Sequence, residues 1–290
     1  MKEIDGKTRV CGLIGNPVEH TLSPVIHNTL AEKRGHNLVY VPFLVQKGQI
    51  AEAVAGAQAL NILGLNVTVP YKSEVIACLK EIDPLAEQIG AVNTLVRVSG
   101  GYKGYNTDME GLYRAMLAEN IRIEGEEIIL LGAGGAARAV AFLCAAKGAK
   151  RVYLLNRTVN KAGIVADEVN KAAGREIISP MQLQDHRTIP DGKYLAIQGT
   201  SVGLSPHDDE VVIEDPEFYQ KVHTGFDLIY SPWETKFMRL VRETGEQAYN
   251  GLKMLLYQGV IAYELWNQIE VPEKEVSEVY DRLKKHFVQD

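Results

Sequence analysis

The chain has 290 residues, of which 46% are hydrophobic and 23% are charged. These proportions are ordinary for a globular protein and exclude a disordered chain, a collagen and a coiled coil. Asp and Glu number 37 against 31 Lys and Arg, which gives a net charge of -6, so we expect no general attraction for nucleic acid or for an anionic membrane. The length predicts about two domains.

Cysteine usage and hydropathy indicate a reducing environment, no metal site and no membrane-spanning helix. Cys11, Cys78 and Cys144 lie far apart in apolar stretches, which is typical of reduced core thiols. No CxxC, HExxH or tight His/Cys cluster occurs, so we expect no metal. The start of the chain lacks the apolar core of a signal peptide, and the most apolar predicted helix, at 136–147, is too short and too polar to span a bilayer. We therefore expect a cytoplasmic protein without a membrane span.

The first part of the chain alternates predicted strands and helices. Apolar runs bounded by turn residues predict the strands, and helical periodicity ending at glycine predicts the helices. Alternation of this kind implies α/β architecture, with a mostly parallel sheet covered by helices on both faces. The predictions in chain order are a strand at 9–15, a helix at 24–35, a strand at 38–43, a helix at 48–60, a strand at 63–69, helices at 73–81 and 84–89, and a hairpin formed by AVNTLVRV and GYKGYN.

A second series begins with a helix near 109–119. It continues with a strand in EEIILL, an Ala-rich helix, a strand in RVYLLN, a helix at 159–173, strands at 194–198 and 224–230, and helices at 234–244, 251–268 and 273–287. The last two helices cannot extend a sheet, so we expect them to return to the first domain. The resulting two-lobe prediction is one domain from 1–107 and 252–290, a Rossmann-type dinucleotide-binding domain at 108–251, and a cleft between them.

A glycine-rich turn follows the predicted strand ending at Leu131 and precedes the Ala-rich helix. It fits G-x-G-x-x-A, in which the first glycine permits the turn, the second lets the backbone approach a pyrophosphate, and the alanine allows close helix–strand packing. Unpaired N–H groups at the start of the helix would bind the phosphates. A purely structural turn is the alternative. The candidate cofactor residues of this turn are Gly132, Ala133, Gly134, Gly135, Ala136 and Ala137.

The next strand indicates which dinucleotide binds. It ends in Asn156, Arg157 and Thr158, with Lys161 close behind, and it lacks the acidic residue that an NAD site usually presents to the ribose. Arg157 and Lys161 would place positive charge near a 2′-phosphate, and Thr158 would add a neutral donor. The sequence therefore predicts NADP(H) rather than NAD, with a solvated basic turn as the alternative.

Polar residues also lie where predicted strands of the first domain end. Asn66, Thr68 and Lys72 follow an apolar strand, and Asp108 follows the hairpin. Open α/β sheets bind ligands at the carboxyl ends of their strands. A lysine beside an aspartate, partly removed from water, can exchange a proton with a hydroxyl or ketone oxygen, which makes Lys72 the candidate acid. A surface ion pair is the alternative.

Other polar positions have both a functional and a structural interpretation. Thr21 and Ser23 offer hydroxyls, but Ser23 before Pro24 is also typical of a helix N-cap. Asn93 lies in an otherwise apolar strand, where a buried amide needs partners, and a substrate ring hydroxyl would supply one of them. Gln258 on an apolar helix is either a substrate contact or a core hydrogen bond, and we favour the contact.

A series of short motifs spans nearly the whole chain: GNPVEHTLSPVIHN (15–28), NVTVPYK (66–72), GAVNTL (90–95), GYNTDMEG (104–111), GAGGAARA (132–139), NRT (156–158), DLIY (227–230) and GLKMLLYQG (251–259). Together they resemble the shikimate dehydrogenase family. The resemblance implies a substrate lobe built from both chain ends, an inserted Rossmann lobe, and reversible NADP-dependent reduction of 3-dehydroshikimate to shikimate.

The resemblance also implies roles for individual residues. Lys72 and Asp108 would be catalytic, and the hydroxyls of Thr21 and Ser23 would hold the substrate carboxylate. The other implied substrate contacts are Thr68, Asn93, Tyr230 and Gln258, and the other implied cofactor contacts are Thr200, Leu228 and Gly251.

The chain departs from the family at a few positions, and these leave alternatives open. Thr21 stands where the family usually has Ser, and Gln198 and Gly199 stand where it has Asn and Ala. The Thr21 methyl narrows the pocket and leaves the exact substrate open. The nearest alternative is a quinate or dual quinate/shikimate dehydrogenase of the same superfamily. A non-catalytic NADP(H)-binding regulator and another two-lobe enzyme, such as a folate dehydrogenase, are less favoured. We expect a small-molecule substrate, and a homodimer is an open possibility.

Overall fold

The computed structural model describes residues 4–287 and divides the chain into two compact units. The first unit contains the chain up to Gly111 and again from Leu255, and the second contains Leu112–Met254. The domain boundaries predicted from the sequence, after residues 107 and 251, stay a prediction. Among the described helices, none is long and apolar enough to cross a membrane.

The first unit contains a mixed sheet, and most of its strands are followed in the sequence by a helix. Its elements are β1 (Arg9–Gly15), α1 (Ser23–Lys33), β2 (Leu38–Leu44), α2 (Ile50–Ala59), β3 (Gly64–Val67), a 3₁₀ helix (Glu74–Cys78), β4 (Glu81–Ile82), α3 (Pro84–Ile89), β5 (Thr94–Val98), β6 (Gly101–Tyr105), the start of α4 (Asp108–Leu117), most of α9 (Leu252–Asn267) and α10 (Glu273–Lys284).

The strand order of this sheet is β2-β1-β3-β5-β6-β4. β1 pairs in parallel with both β2 and β3, whereas β5 pairs antiparallel with β3 and with β6. The β5–β6 hairpin forms because Gly100 adopts a φ of +78°, which a side chain would disfavour. β3 ends at Val67 because the next residues form a turn, closed by a 3.0 Å hydrogen bond from Tyr71 N to Thr68 O. The polar residues that follow β3 are thereby held at the carboxyl end of the sheet.

The second unit is built around a wholly parallel sheet. Its elements are the rest of α4, β7 (Glu127–Leu131), α5 (Gly135–Ala146), β8 (Arg151–Asn156), α6 (Val159–Ala173), β9 (Ile178–Gln182), a 3₁₀ helix (Leu183–Thr188), β10 (Tyr194–Gln198), α7 (Pro216–Gln220), β11 (Val222–Asp227), α8 (Lys236–Glu243), β12 (Gln247–Tyr249) and the first residues of α9.

The strand order of the second sheet is β12-β11-β10-β7-β8-β9. Numbered within the unit, this is the 6-5-4-1-2-3 order of a Rossmann fold, and the direction of winding reverses between β7 and β10. β7 is buried from Ile128 to Leu131 because it lies in the middle of the sheet, and the glycine turn follows it at this reversal. The predicted α/β class with a Rossmann-type unit is confirmed.

Several local predictions were wrong. The helix expected at 73–81 is a 3₁₀ helix over Glu74–Cys78, because Glu81 and Ile82 pair with β6 as strand β4. Strands β9 and β12 and helix α7 were missed. Asp215 precedes α7, and its carboxylate accepts from Glu217 N and caps the helix.

Candidate active site

The first unit brings Lys72 and Asp108 together. Lys72 Nζ lies 2.8 Å from Asp108 Oδ2, and the two side chains are 34% and 19% exposed. Lys72 follows the turn after β3, and its carbonyl is anchored by the N–H of Val92. Asp108 is the first residue of α4, where a carboxylate is favoured by the unpaired N–H groups of the helix. The ammonium is thus held by one carboxylate while it remains accessible.

Asn93 supports the other oxygen of the same carboxylate. Its Nδ2 donates to Asp108 Oδ1 over 2.8 Å, and its Oδ1 accepts from Thr107 N over 2.8 Å. The Asn93 side chain is buried, so these bonds also satisfy an amide that water does not reach. Protein groups therefore supply hydrogen-bond partners for both ends of this amide. A contact between Asn93 and substrate stays a prediction.

Asn66 and Thr68 lie at the end of β3, as the sequence indicated. Asn66 is buried, and its Nδ2 donates to Thr94 Oγ1 over 3.1 Å. Thr68 is half-buried, and its methyl group occupies the space that a side chain at Gly15 would need. A glycine at the end of β1 therefore allows Thr68 to approach closely.

The Thr21 and Ser23 hydroxyls lie next to each other before α1. Thr21 Oγ1 donates to Ser23 Oγ over 3.2 Å, and it accepts from the Ser23 N–H over 3.3 Å. The alternative interpretation of Ser23 as the N-cap was wrong. Leu22 occupies that position with helical dihedral angles and no side chain caps the helix, because the Ser23 side chain is turned towards Thr21. The two hydroxyls are paired in a manner that suits joint binding of a carboxylate.

Gln258 lies in α9 and is held from several sides. Its side-chain Nε2 donates to Leu255 O over 2.8 Å, and its backbone carbonyl accepts from Thr107 Oγ1 over 3.0 Å. A methyl group at Gly111 would come within 2.7 Å of Gln258 N, so α4 and α9 meet at a glycine. Thr107 therefore joins α9 to Asn93 and Asp108, a role that the sequence did not assign. The only signal was its place between Asn106 and Asp108.

In the second unit, the glycine turn leaves the start of α5 accessible. Gly132 adopts a φ of +104°, and because the N-cap of α5 is Gly134, no N-cap side chain bonds to the first N–H groups of the helix. Gly134, Gly135 and Ala136 are exposed, whereas Ala137 is buried against the neighbouring backbone of Gly199. Added side chains at Gly134 and Gly135 would meet no atom within 4 Å, so there is room for a ligand. The turn has the space and free N–H groups that a pyrophosphate requires.

The turn after β8 carries the predicted basic residues. Arg157, Thr158 and Lys161 are exposed, while the half-buried Asn156 donates from Nδ2 to Thr158 O over 2.8 Å. Asn156 therefore stabilises the turn, and it has an amide where an NAD site usually has a carboxylate. The side chains present in this turn fit a phosphate and include no carboxylate to accept from a ribose diol.

Three other predicted cofactor residues follow strands of the second unit. The Thr200 methyl group lies against Gly132, and Thr200 N donates to Gln198 Oε1 over 2.5 Å. Gly251 donates from N to Ile229 O over 2.9 Å, and any side chain there would overlap the Leu228 carbonyl. The half-buried Tyr230, predicted to contact substrate, also lies in this unit, and burial raises the pKa of its phenol.

A buried carboxylate in the second unit was not assigned any role. Asp227, at the end of β11, accepts from Ile229 N over 2.9 Å and from Thr235 Oγ1 over 2.6 Å. Burial raises the pKa of Asp227 to about 7, and these hydrogen bonds oppose the rise only in part. The motif DLIY marked the position in the sequence, although nothing in it indicated a buried acid.

The fold and these sites define a class of protein. A Rossmann-type sheet with an open glycine turn and a basic β8 turn, in a chain that also carries a partly buried Lys–Asp pair, is typical of nicotinamide-dependent oxidoreductases. Within the described residues, no group of three or more His, Cys, Asp or Glu side chains is placed to hold a metal ion.

Comparison with known proteins identifies the family. Residues 13–95 match the shikimate dehydrogenase substrate binding domain, residues 116–187 match shikimate / quinate 5-dehydrogenase, and residues 251–279 match the shikimate 5'-dehydrogenase C-terminal domain. A shikimate dehydrogenase (NADP(+)) from Desulforamulus reducens is 42% identical over 93% of both chains. The chain belongs to the shikimate dehydrogenase family.

Solved structures agree with this assignment. A crystal structure of shikimate dehydrogenase in complex with NADP+ is 36% identical, with a TM-score of 0.87 over 97% of each chain. A shikimate 5-dehydrogenase from Listeria monocytogenes in complex with shikimate and NAD is 30% identical, with a TM-score of 0.89 over 98% of this chain and 99% of that chain.

Proposed function

We propose that the protein catalyses the reversible, NADP-dependent reduction of 3-dehydroshikimate to shikimate, a step in the biosynthesis of aromatic amino acids. The observation that carries the proposal is the 2.8 Å contact between Lys72 Nζ and Asp108 Oδ2, next to strand ends that present Asn66 and Thr68. A relative named shikimate dehydrogenase (NADP(+)) that is 42% identical along 93% of the chain supports the choice of substrate and cofactor.

Lys72 is the proposed proton donor in the direction of reduction. NADPH supplies the hydride when it is bound. The Lys72 ammonium protonates the oxygen of the ring ketone, and in the reverse direction its neutral amine accepts the proton of the hydroxyl. Asp108 keeps the ammonium in place and accepts from a substrate hydroxyl, while Asn93 holds Asp108 by its other oxygen. Thr21, Ser23, Thr68, Tyr230 and Gln258 are the further proposed contacts to substrate.

The proposed cofactor residues fit NADP(H). The open turn from Gly132 to Ala137 would hold the pyrophosphate, and the exposed Arg157 and Lys161 would hold the 2′-phosphate. Thr158 would add a neutral donor there. Leu228 and Gly251 would border the nicotinamide.

Three broader assignments belong to the same proposal. Residues 1–107 and 252–290 form the substrate-binding domain, and residues 108–251 form the dinucleotide-binding domain. The three described cysteines are free thiols, which supports a location in the reducing cytoplasm. A homodimer stays a prediction.

The direct test is the absorbance of NADPH after the protein is mixed with NADP+ and shikimate. We expect NADPH to form, and Lys72→Ala should lower kcat by about 100-fold or more while NADPH binding stays unchanged. Lys103→Ala is the matched control, because Lys103 lies on β6 over the Tyr105 ring and should leave kcat unchanged. Parallel assays with quinate and with NAD+ test the nearest alternatives. Normal turnover by Lys72→Ala would contradict the proposed role.

A further inference from the structure

Tyr40 is a buried side chain that reaches across the first sheet. In the parallel register Tyr40 of β2 lies beside Cys11 of β1, which in turn lies beside Gly64 of β3. Asn66 is two residues beyond Gly64, so it projects from the same face as Tyr40. The small Cys11 side chain lies between the two outer strands on this face. The Tyr40 hydroxyl extends across β1 and donates to Asn66 Oδ1 over 2.8 Å.

The Tyr40 ring is held by aromatic neighbours. The His27 ring of α1 stacks on it with a centroid separation of 4.2 Å and an interplanar angle of 17°, and Trp266 of α9 lies 6.1 Å away. Burial lowers the pKa of His27 to about 3, with the Asn66 side chain opposing the fall, so its ring is neutral; within residues 4–287 neither of its nitrogens has a hydrogen-bond partner of ordinary geometry. His27 therefore acts on Tyr40 through packing, which leaves the phenol little freedom to turn away from Asn66.

The Tyr40 hydroxyl and the backbone carbonyl of Asn93 together orient the Asn66 amide. Asn66 Nδ2 donates to Thr94 Oγ1 over 3.1 Å and to Asn93 O over 3.3 Å, while Oδ1 accepts the Tyr40 proton. The two ends of an amide are nearly equal in shape, so only their hydrogen-bond partners distinguish them. Burial also raises the pKa of the Tyr40 phenol well above its ordinary value, with Ser23 opposing the rise, so the hydroxyl remains a donor.

A series of hydrogen bonds leads from Asn66 to Asp108 and Lys72. Thr94 Oγ1 accepts from Asn66 and donates to Asn93 Oδ1 over 3.1 Å, and it also lies 3.3 Å from Thr107 Oγ1. Asn93 Oδ1 accepts from both Thr94 Oγ1 and the Thr107 N–H, so Asn93 Nδ2 faces Asp108 Oδ1 at 2.8 Å. Asp108 Oδ2 then bonds Lys72. Every residue in this series belongs to the first unit.

We propose that Tyr40 is a positioning residue for the substrate site: its hydroxyl holds the Asn66 side chain, which a series of hydrogen bonds through Thr94 and Asn93 joins to Asp108. This inference rests on the proposed function, because it concerns how the same site is held. Other buried phenols of the unit have a different partner. The Tyr102 hydroxyl donates over 2.8 Å to the backbone carbonyl of Ile62. Loss of that hydroxyl would therefore leave no side chain of the site without a partner.

The test is Tyr40→Phe, which keeps the ring stack and removes only the hydroxyl. We expect kcat/KM for shikimate to fall about tenfold, whereas the KM for NADP+ changes less than twofold. Tyr102→Phe is the matched control, since it also removes a buried hydroxyl; it should leave both parameters unchanged. Circular dichroism and the unfolding midpoint should show that both variants are folded and similarly destabilised.

A double-mutant cycle tests whether Tyr40 acts through Asn66. In an Asn66→Ala background, the Tyr40→Phe change should have less than a twofold further effect on kcat/KM. A normal kcat/KM in Tyr40→Phe, an equal loss in Tyr102→Phe, or the full tenfold loss in the Asn66→Ala background would each overturn the inference. If the parent protein does not oxidise shikimate, the proposed function fails, and this inference fails with it.

Discussion

Asp227 is fully buried, and replacing it by Asn should remove one source of pH-dependent stability. Its carboxylate accepts two hydrogen bonds, yet burial raises its pKa to about 7. An aspartate in an unfolded chain has a pKa near 3.8. Between these two values the native state holds a proton that the unfolded state has released. The stability contributed by the protonated form is therefore complete below pH 3.8 and is lost as the pH rises through 7.

The size of the effect follows from the two pKa values. A difference of about three pKa units corresponds to about 4 kcal/mol in the free energy of unfolding. About 3 kcal/mol of this stability is lost between pH 5 and pH 8. The remainder is already lost between pH 3.8 and pH 5, where the unfolded state has released its proton and the native state has not. An Asn side chain has a similar shape and no titration in this range. The unfolding free energy of Asp227→Asn should therefore gain about 3 kcal/mol on the parent protein between these pH values.

Urea unfolding followed by tryptophan fluorescence measures this difference. The chain has two tryptophans, and a Trp266→Phe background leaves Trp233, which lies in the same unit as Asp227, as the reporter. Both proteins would carry that background, so its own cost cancels. Asp209→Asn, in an exposed loop, is the control and should follow the parent at every pH. A difference between parent and Asp227→Asn that stays constant from pH 5 to pH 8 would refute the reasoning, because Asp227 would then be ionised throughout.

Two further predictions concern the cofactor and close packing. Replacing both Arg157 and Lys161 with Ala should weaken NADP+ binding by about tenfold or more and leave NAD+ binding nearly unchanged, as titration calorimetry with each cofactor would show; equal losses for both would contradict a 2′-phosphate site. Gly111→Ala should lower the melting temperature because its methyl group would approach Gln258 N to 2.7 Å, whereas Gly56→Ala, in α2 with open space around it, should raise stability by about 0.5–1 kcal/mol; the reverse order would contradict this account.

The strands that the sequence did not reveal are all at the edges of sheets. β4 ends one side of the first sheet, and β9 and β12 end the two sides of the second. An edge strand has one neighbour and is less buried, so it needs no long apolar run. Pro180 lies in β9, where it pairs with Leu154, and proline is tolerated there because one side of the strand has no partner. The central strand at 127–131 was predictable because burial on both faces requires continuous apolar residues.

The polar residues of the first unit show a second limit of prediction from sequence. A buried Asn or Thr predicts a partner, but the sequence does not say whether that partner is substrate or protein. The register decides: β3 and β5 pair Asn66 with Thr94, and β5 and β6 pair Thr94 with Tyr105, which brings the following residues, Thr107 and Asp108, to the same sheet edge. A shift of one residue would turn Thr94 to the other face and remove its hydroxyl from Asn66 Nδ2. The arrangement of Lys72 and Asp108 therefore depends on strand pairing as much as on the identity of the two residues.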